Sequence, residues 1–368
     1  MTGMRPSRRW VRPTLITAGT IVALPMLAIA ALLNFVSPPV DGFEPQSWRP
    51  GEPMRMDAAI AAPAERPPSA ITTALDGPED IAVDSNGVLY TGDRRGILWR
   101  IAPGGEPEPF ADVGGRPLGL ALHPDGRLLV ANHGIGLQAV TMEGVVETLV
   151  DEVDGTPVLF ANDLDVSHDG IVYFSDSSHR YNTTTLGETT TYLLPDAIDG
   201  RPSGRVIAYD LASGTATTIL DELHFPNGIA LTADGTRLWI AESNRYRILE
   251  HRIGADTSIV LHDLPGTPDN INRDDDGRML IALYDRIGAF DTLVLPHDLA
   301  RHIMIRLPGN SFVNEDDPLT GSILVATDDG TPETHYTGLD PAPTSVVPSG
   351  ERWYLGALLS HPLRELTF

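Results

Sequence analysis

Six times beyond residue 80 the chain repeats one short phrase, and that repetition restricts the possible folds more than any other feature. Each copy is a turn with a glycine, a run of alternating or continuous apolar residues, then a polar or acidic turn. The copies read SNGVLYTGDRRGILWRI, PDGRLLVANHGIGLQAV, HDGIVYFSDSS, ADGTRLWIAESNRYRILEHRI, DDGRMLIALY and SGERWYLGALLSHPLREL. Their turn glycines are Gly87, Gly126, Gly170, Gly235, Gly277 and Gly350, most of them separated by about one propeller repeat. The two longer intervals hold insertions, at 181–203 and 284–311, where mixed helix and loop is expected. Asx-Gly turns tolerate a positive φ between strands, and Val, Leu, Ile, Tyr and Trp suit strands packed on both faces. One such sheet cannot cover itself, whereas six arranged radially bury their faces against each other and leave only short edges. The expected fold is therefore all-β, a six-bladed β-propeller over residues 71–368, rather than an ordinary hairpin sandwich.

The N-terminal segment differs from the rest. Thr14 to Val36 carries no charge and is about long enough to cross a bilayer core as a helix. Arg5, Arg8, Arg9 and Arg12 precede it, which by the positive-inside rule leaves residues 1–13 in the cytoplasm. The expectation is a single transmembrane helix at 14–36, with the propeller on the periplasmic or extracellular side. Ala28 and Ala30 also fit a signal-peptide cleavage site, and cleavage would leave the main domain on the same side. Residues 37–70 are rich in Pro and Ala and read as a semi-stiff tether.

With 50 Asp and Glu against 26 Lys and Arg, the net charge is -24, which argues against a nucleic-acid partner. Most of that charge is a solvated surface. Cysteine is absent, which removes disulfides, thiol nucleophiles and Cys-ligated zinc. No phosphate-binding loop, dinucleotide glycine pattern or Gly-x-Ser-x-Gly elbow occurs.

Where chemistry could sit is suggested by a second recurring phrase, placed just before four of the repeats. It reads GPEDIAV with Glu79, FANDLDV with Asn162, FPNGIAL with Asn227, and TPDNINR with Asp269 and Asn270. Asn and Asp are ordinary turn residues, so each alone says little. The recurrence of an oxygen-bearing side chain at one offset in four blades points instead to a shared channel mouth. Two carboxylates and several amide oxygens form a hard donor set that suits calcium and is poor for zinc or copper.

The stretches LHFPNGIALTADGTRLWIAES, LPGTPDNINRDDDGRMLIAL, FANDLDVSHDGIVYFSDSS and GRPLGLALHPDGRLLVA resemble the strictosidine synthase-like proteins, in particular the adipocyte plasma-membrane-associated type. That type also carries one N-terminal anchor. More distantly the chain is similar to paraoxonases and to the regucalcin and gluconolactonase group, six-bladed propellers with a calcium ion in the channel. The resemblance implies calcium ligands at Glu79, Asn162, Asn227 and Asp269 and, as in paraoxonases, Asn270. Strictosidine synthases themselves are not generally described as calcium enzymes.

By the same resemblance, the activity is hydrolysis of a lactone or aryl ester, with the cation polarising the carbonyl and a base activating water. Asp269 would serve as that base in the gluconolactonase manner. His133 stands where one of the two paraoxonase histidines would, but Leu118 occupies the position of the other. His179 is a further candidate near the same face. The condensation that names the family needs a glutamate where Ser345 and Pro348 stand here, with Glu351 displaced into a turn, so the resemblance does not carry that reaction. The alternative is a non-catalytic propeller that binds a small molecule or a protein around a structural calcium.

Overall fold

The computed structural model describes residues 25–56, 60–63, 67–187, 192–308, 319–359 and 361–367. All six repeat glycines adopt positive φ. Each forms the hairpin between the innermost strand of a sheet and the strand outside it. Five four-stranded sheets and one five-stranded sheet result, and these are the six blades of the propeller. From blade one to blade six the innermost strands are Ile81–Val83, Arg116–Leu122, Ala161–Val166, Pro226–Leu231, Gly266–Arg273 and Val346–Ser349.

Apolar clusters fill every interface between neighbouring blades. Leu98 and Leu128 join blades one and two, Leu129 and Phe174 blades two and three, and Val206 and Leu238 blades three and four. Trp239 and Ile281 join blades four and five, and Ile323 and Leu355 blades five and six. Leu89 and Leu363 return from blade six to blade one, so the ring is closed. Each such side chain contributes about 1.5–3 kcal/mol by leaving water. Closure also needs the N-terminal side of the domain. The strand Ser69–Thr72 pairs antiparallel with Leu363–Thr367 and completes blade six, whose other three strands come from the C-terminus.

The two long insertions meet at one end of the ring and build a cap over it. The first carries the short helices Thr183–Leu186 and Leu193–Asp199; the second carries Gly288–Leu293 and Asp298–Met304. Arg301, fully buried, joins them: its Nε donates to Leu295 O, and one terminal nitrogen donates to Ala197 O at 2.9 Å and to Ile198 O at 2.6 Å.

The segment that composition presents as a tether is docked on this cap. Val40 and Phe43 are buried against Tyr181, Ile198, Val294 and Ile305. The amides of Gln46 and Trp48 donate to Asp199 O and Leu295 O, and Arg245 lies 4.7 Å over the Trp48 ring. Ala61–Pro63 then pairs in parallel with the outer strand of blade five. Proline-rich composition does mark a chain without its own sheet, but it is silent on whether a neighbouring surface holds that chain. Residues 25–35 are helical; residues 14–24 of the apolar run lie outside the described residues. Among the described residues no helix is long and apolar enough to cross a membrane.

Candidate active site at the channel mouth

Four innermost strands share one irregularity, and it creates the site. Their pairing slips between Pro117 and Gly119, between Ala161 and Leu164, between Pro226 and Ile229, and between Pro268 and Ile271. A bulge re-aims side chains out of the sheet alternation. The residues in these bulges include Leu118, Asn162, Asn227, Asp269 and Asn270. The ligand candidates of blades three to five thus lie inside the innermost strands rather than ahead of them. Only Glu79 precedes its strand.

The bulges fit because glycines let adjacent strands touch. A Cβ on Gly228 would stand 2.5 Å from Asp269 O and 2.7 Å from Asn270 Cα. A Cβ on Gly356 would come closer still to the carbonyl oxygen of Glu79. Hydroxyls of the preceding blade bind the bulges of blades four and five and the strand entry at Glu79. Ser175 and Ser177 donate to the carbonyls of Asn227 and Pro226, Ser243 to that of Pro268, and Thr344 to that of Glu79.

Glu79, Asn162, Asn227, Asp269 and His133 line one cavity, which together with its open mouth encloses about 480 Å³ of space. Asn270 is buried but does not line it. His179 is exposed and takes no part. Ser345 is buried without reaching the cavity lining, Pro348 lies on the strand Val346–Ser349, and Glu351 is exposed in the turn. The carboxylate required for condensation is therefore missing from the cavity wall, where Glu79 and Asp269 are the acids.

The two cavity amides are oriented by their NH2 groups. Asn162 donates to Ser177 Oγ at 2.9 Å, and Asn227 donates to Asp269 Oδ1 at 2.5 Å. Their carbonyl oxygens, with Glu79 Oε2 and both polar atoms of Asn270, are buried without a hydrogen-bond partner. Such an orphaned oxygen costs about 1–3 kcal/mol unless something binds it. A cluster of unmatched acceptors calls for a cation, and this set fits a hard one. Among the described residues no group of three or more His, Cys, Asp or Glu could hold a metal ion, so any site here depends on the asparagines.

Burial and mutual repulsion act strongly on the acids. Burial first, then Asp269, pushes the Glu79 carboxyl well above its ordinary value. Burial raises Asp269 to about 7, against the opposing effect of the Asn227 hydrogen bond. A second tier, absent from the sequence reading, lies beside them. Burial raises Asp80 to about 6 although its Oδ2 accepts from Leu120 N, and burial, then Asp80, raises Asp163 well above its ordinary value although its Oδ2 accepts from Ile229 N.

The walls are mostly apolar. His133 stacks on Phe160 at 3.8 Å and meets the edge of Tyr192, and Phe225 meets Phe160 edge-on. Phe225 holds φ at 55°, a strained conformation for a bulky residue, two positions before Asn227. Burial and the neighbouring Arg116 lower His133 to about 3, so it is neutral. Arg116 itself lines the cavity and donates to Leu358 O at 3.2 Å, with its Nε buried and unpartnered. Sequence reasoning missed Arg116, Tyr192 and Tyr284. Arg116 lies just ahead of the blade-two bulge and was legible by that offset, whereas Tyr192 arrives from an insertion.

A six-bladed propeller whose innermost strands bulge to aim carboxylates and amides into an aromatic-walled cavity is a recognisable class of protein. The strictosidine synthase profile matches residues 162–255, and the N-terminal profile of strictosidine synthase-like proteins matches 70–101. Strictosidine synthase-like 4 of Arabidopsis thaliana is 30% identical over 345 residues, covering 87% of this chain and 88% of that one. The adipocyte plasma membrane-associated protein of Danio rerio is 32% identical over 301 residues, covering 74% and 68%. The chain belongs to the strictosidine synthase-like family.

Solved structures of similar shape include a gluconolactonase of Xanthomonas campestris, with a TM-score of 0.59, 18% identity, and coverage of 83% of this chain and 96% of that one. A calcium-binding regucalcin of Agrobacterium tumefaciens has a TM-score of 0.59, 14% identity, and coverage of 84% and 95%. At such identities the likeness establishes the fold.

Proposed function

We propose that the chain is a membrane-anchored, calcium-dependent hydrolase of lactones or aryl esters that acts outside the cytoplasm. The observation that carries this reading is the set of buried, unpartnered oxygens on Glu79, Asn162, Asn227 and Asn270 around the Asp269 carboxylate. These five residues would hold the ion, which when bound supplies a Lewis acid for the substrate carbonyl. The rest of the chemistry falls to the chain. Asp269, fixed through Oδ1 by Asn227, is the base that takes a proton from the attacking water. The water oxygen adds to the acyl carbon, the acyl carbon to oxygen bond breaks, and Asp269 returns the proton to the leaving alcohol.

His133 is the weaker candidate, because burial and the neighbouring Arg116 lower its imidazole to about 3, so it takes a proton poorly. Its stacked ring instead forms wall for an apolar substrate. Arg116 is placed in the same cavity to favour negative charge developing on the substrate.

The test is a panel of lactones and aryl esters on the full-length chain, with and without a chelator, reading turnover and melting temperature together. Turnover that a chelator removes and calcium restores is expected. A chelator-sensitive melting temperature with no turnover on any substrate would reject the hydrolase in favour of a binding propeller with a structural ion. An unchanged melting temperature counts against the cation site itself.

A further inference from the structure

The second insertion exposes an apolar surface that the ring does not use. Leu293 is 64% exposed, Leu299 57% and Ile287 49%, all within one short stretch of the cap. Their partners on the same helices turn inward, Phe290 and Met304 packing on the buried cap cluster. The neighbouring acids are already engaged: Asp291 receives the Tyr246 hydroxyl, and Asp298 receives that of Ser47. On a chain with a net charge of -24, a patch of leucine and isoleucine without free carboxylates stands apart.

Its position gives the patch a partner. The apolar run leaves the folded body at Val36, whose carbonyl accepts from Arg306 Nε at 2.8 Å. Arg306 lies two residues beyond the end of the helix Asp298–Met304, which carries Leu299. Phe43 packs edge-on against His302, between them in sequence, at 5.2 Å. Whatever bilayer holds residues 14–36 therefore begins within reach of Leu293 and Leu299.

We infer that the 284–308 insertion is a membrane foot: Ile287, Leu293 and Leu299 dip into the interface of the bilayer that holds the apolar run. The lipid is zwitterionic, because the acidic body is repelled by an anionic surface. Arg301 ties this insertion to the helix Leu193–Asp199, next to Tyr192 and Leu193 in the cavity wall. The inference rests on the anchor in the proposed function but not on the hydrolytic chemistry.

The chain has no cysteine, so single labelling sites are clean. Leu293→Cys, Leu299→Cys and, on an exposed blade-one hairpin turn at the opposite end, Asn86→Cys would each carry a fluorophore in the full-length chain. Each variant is reconstituted in phosphatidylcholine vesicles bearing a lipid-attached quencher. Strong quenching at 293 and 299, with at least fivefold less at 86, is expected. Co-flotation with vesicles but equal quenching at all three sites, or none at 293 and 299, overturns the foot and leaves the anchor standing. Failure to float overturns both, while the chelator assay still reports separately on hydrolysis.

Discussion

At the scale of single residues, Asp269 separates what the site costs from what it does. Its carboxyl rises from an ordinary value near 3.9 to about 7 without a cation. The sign follows from linkage: protonated Asp269 favours the folded state fully below about 4, and that contribution is lost as pH rises through about 7. Chelated protein should therefore lose stability between those limits, on the order of a few kcal/mol. Asp269→Asn removes this cost. At pH 8 in chelator the variant should melt above the parent, while added calcium no longer stabilises it; a lower melting point in chelator would contradict the electrostatic account. Protons and calcium should also compete for Asp269 and Glu79. Calcium affinity measured by calorimetry should weaken about tenfold per pH unit per bound proton as pH falls below 7. The ligand candidates were legible because they recur at one offset, whereas Asp80 and Asp163 were not read, although each directly follows one of them. Their role depends on which amide of the next blade they meet, and no periodicity within one blade reports that.

Among elements, the bulged innermost strand is the unit that makes the site, and its demands are steric. Gly228→Ala would drive a methyl group into the backbone of Asp269 and Asn270, parting blades four and five at two ligand candidates. A loss of about 2–4 kcal/mol in stability and more than tenfold in calcium affinity is expected. Gly288→Ala, where a Cβ meets nothing within 4 Å, should alter neither, and chemical denaturation of the pair checks the contrast. Ser177→Ala probes the bond between blades from the other side. It removes both the donor to Pro226 O and the acceptor for the Asn162 amide, so it should cost about 1–3 kcal/mol and lower calcium affinity as well. A calcium affinity equal to the parent's would show that Asn162 needs no positioning. Strand alternation predicted the blades but not the bulges. A bulge is set by contact with the neighbouring blade, as at Gly119, where a Cβ would stand 2.6 Å from Asp163 Cα.

For the whole molecule, closure and capping are separate problems solved by successive parts of the same N-terminal stretch. Ser69–Thr72 is the fourth strand of blade six, so a chain beginning at Ala74 leaves Leu363–Thr367 with an open edge and one interface of the ring unsupported. Such a chain should aggregate or fail to fold. A chain beginning at Ile60 keeps that strand and every ligand candidate, and loses the packing of Val40, Phe43 and Trp48 on the cap together with that of Met54 and Met56 on the cluster between blades four and five. Removing those contacts should lower the melting temperature by on the order of 5–10 °C, from a few kcal/mol of lost burial. The increment that calcium adds should be unchanged, because all five ligand candidates belong to the ring. What should change is substrate handling: the helix Leu193–Asp199 loses Gln46 from the carbonyl of Asp199 and Val40 and Phe43 from Ile198, so Tyr192 is held less firmly over the cavity. KM should rise several-fold with kcat nearly constant, which is the pattern of lost binding rather than lost chemistry. A fall in kcat at unchanged KM would place the cap in the chemical step and contradict the division between a ring that reacts and a cap that receives.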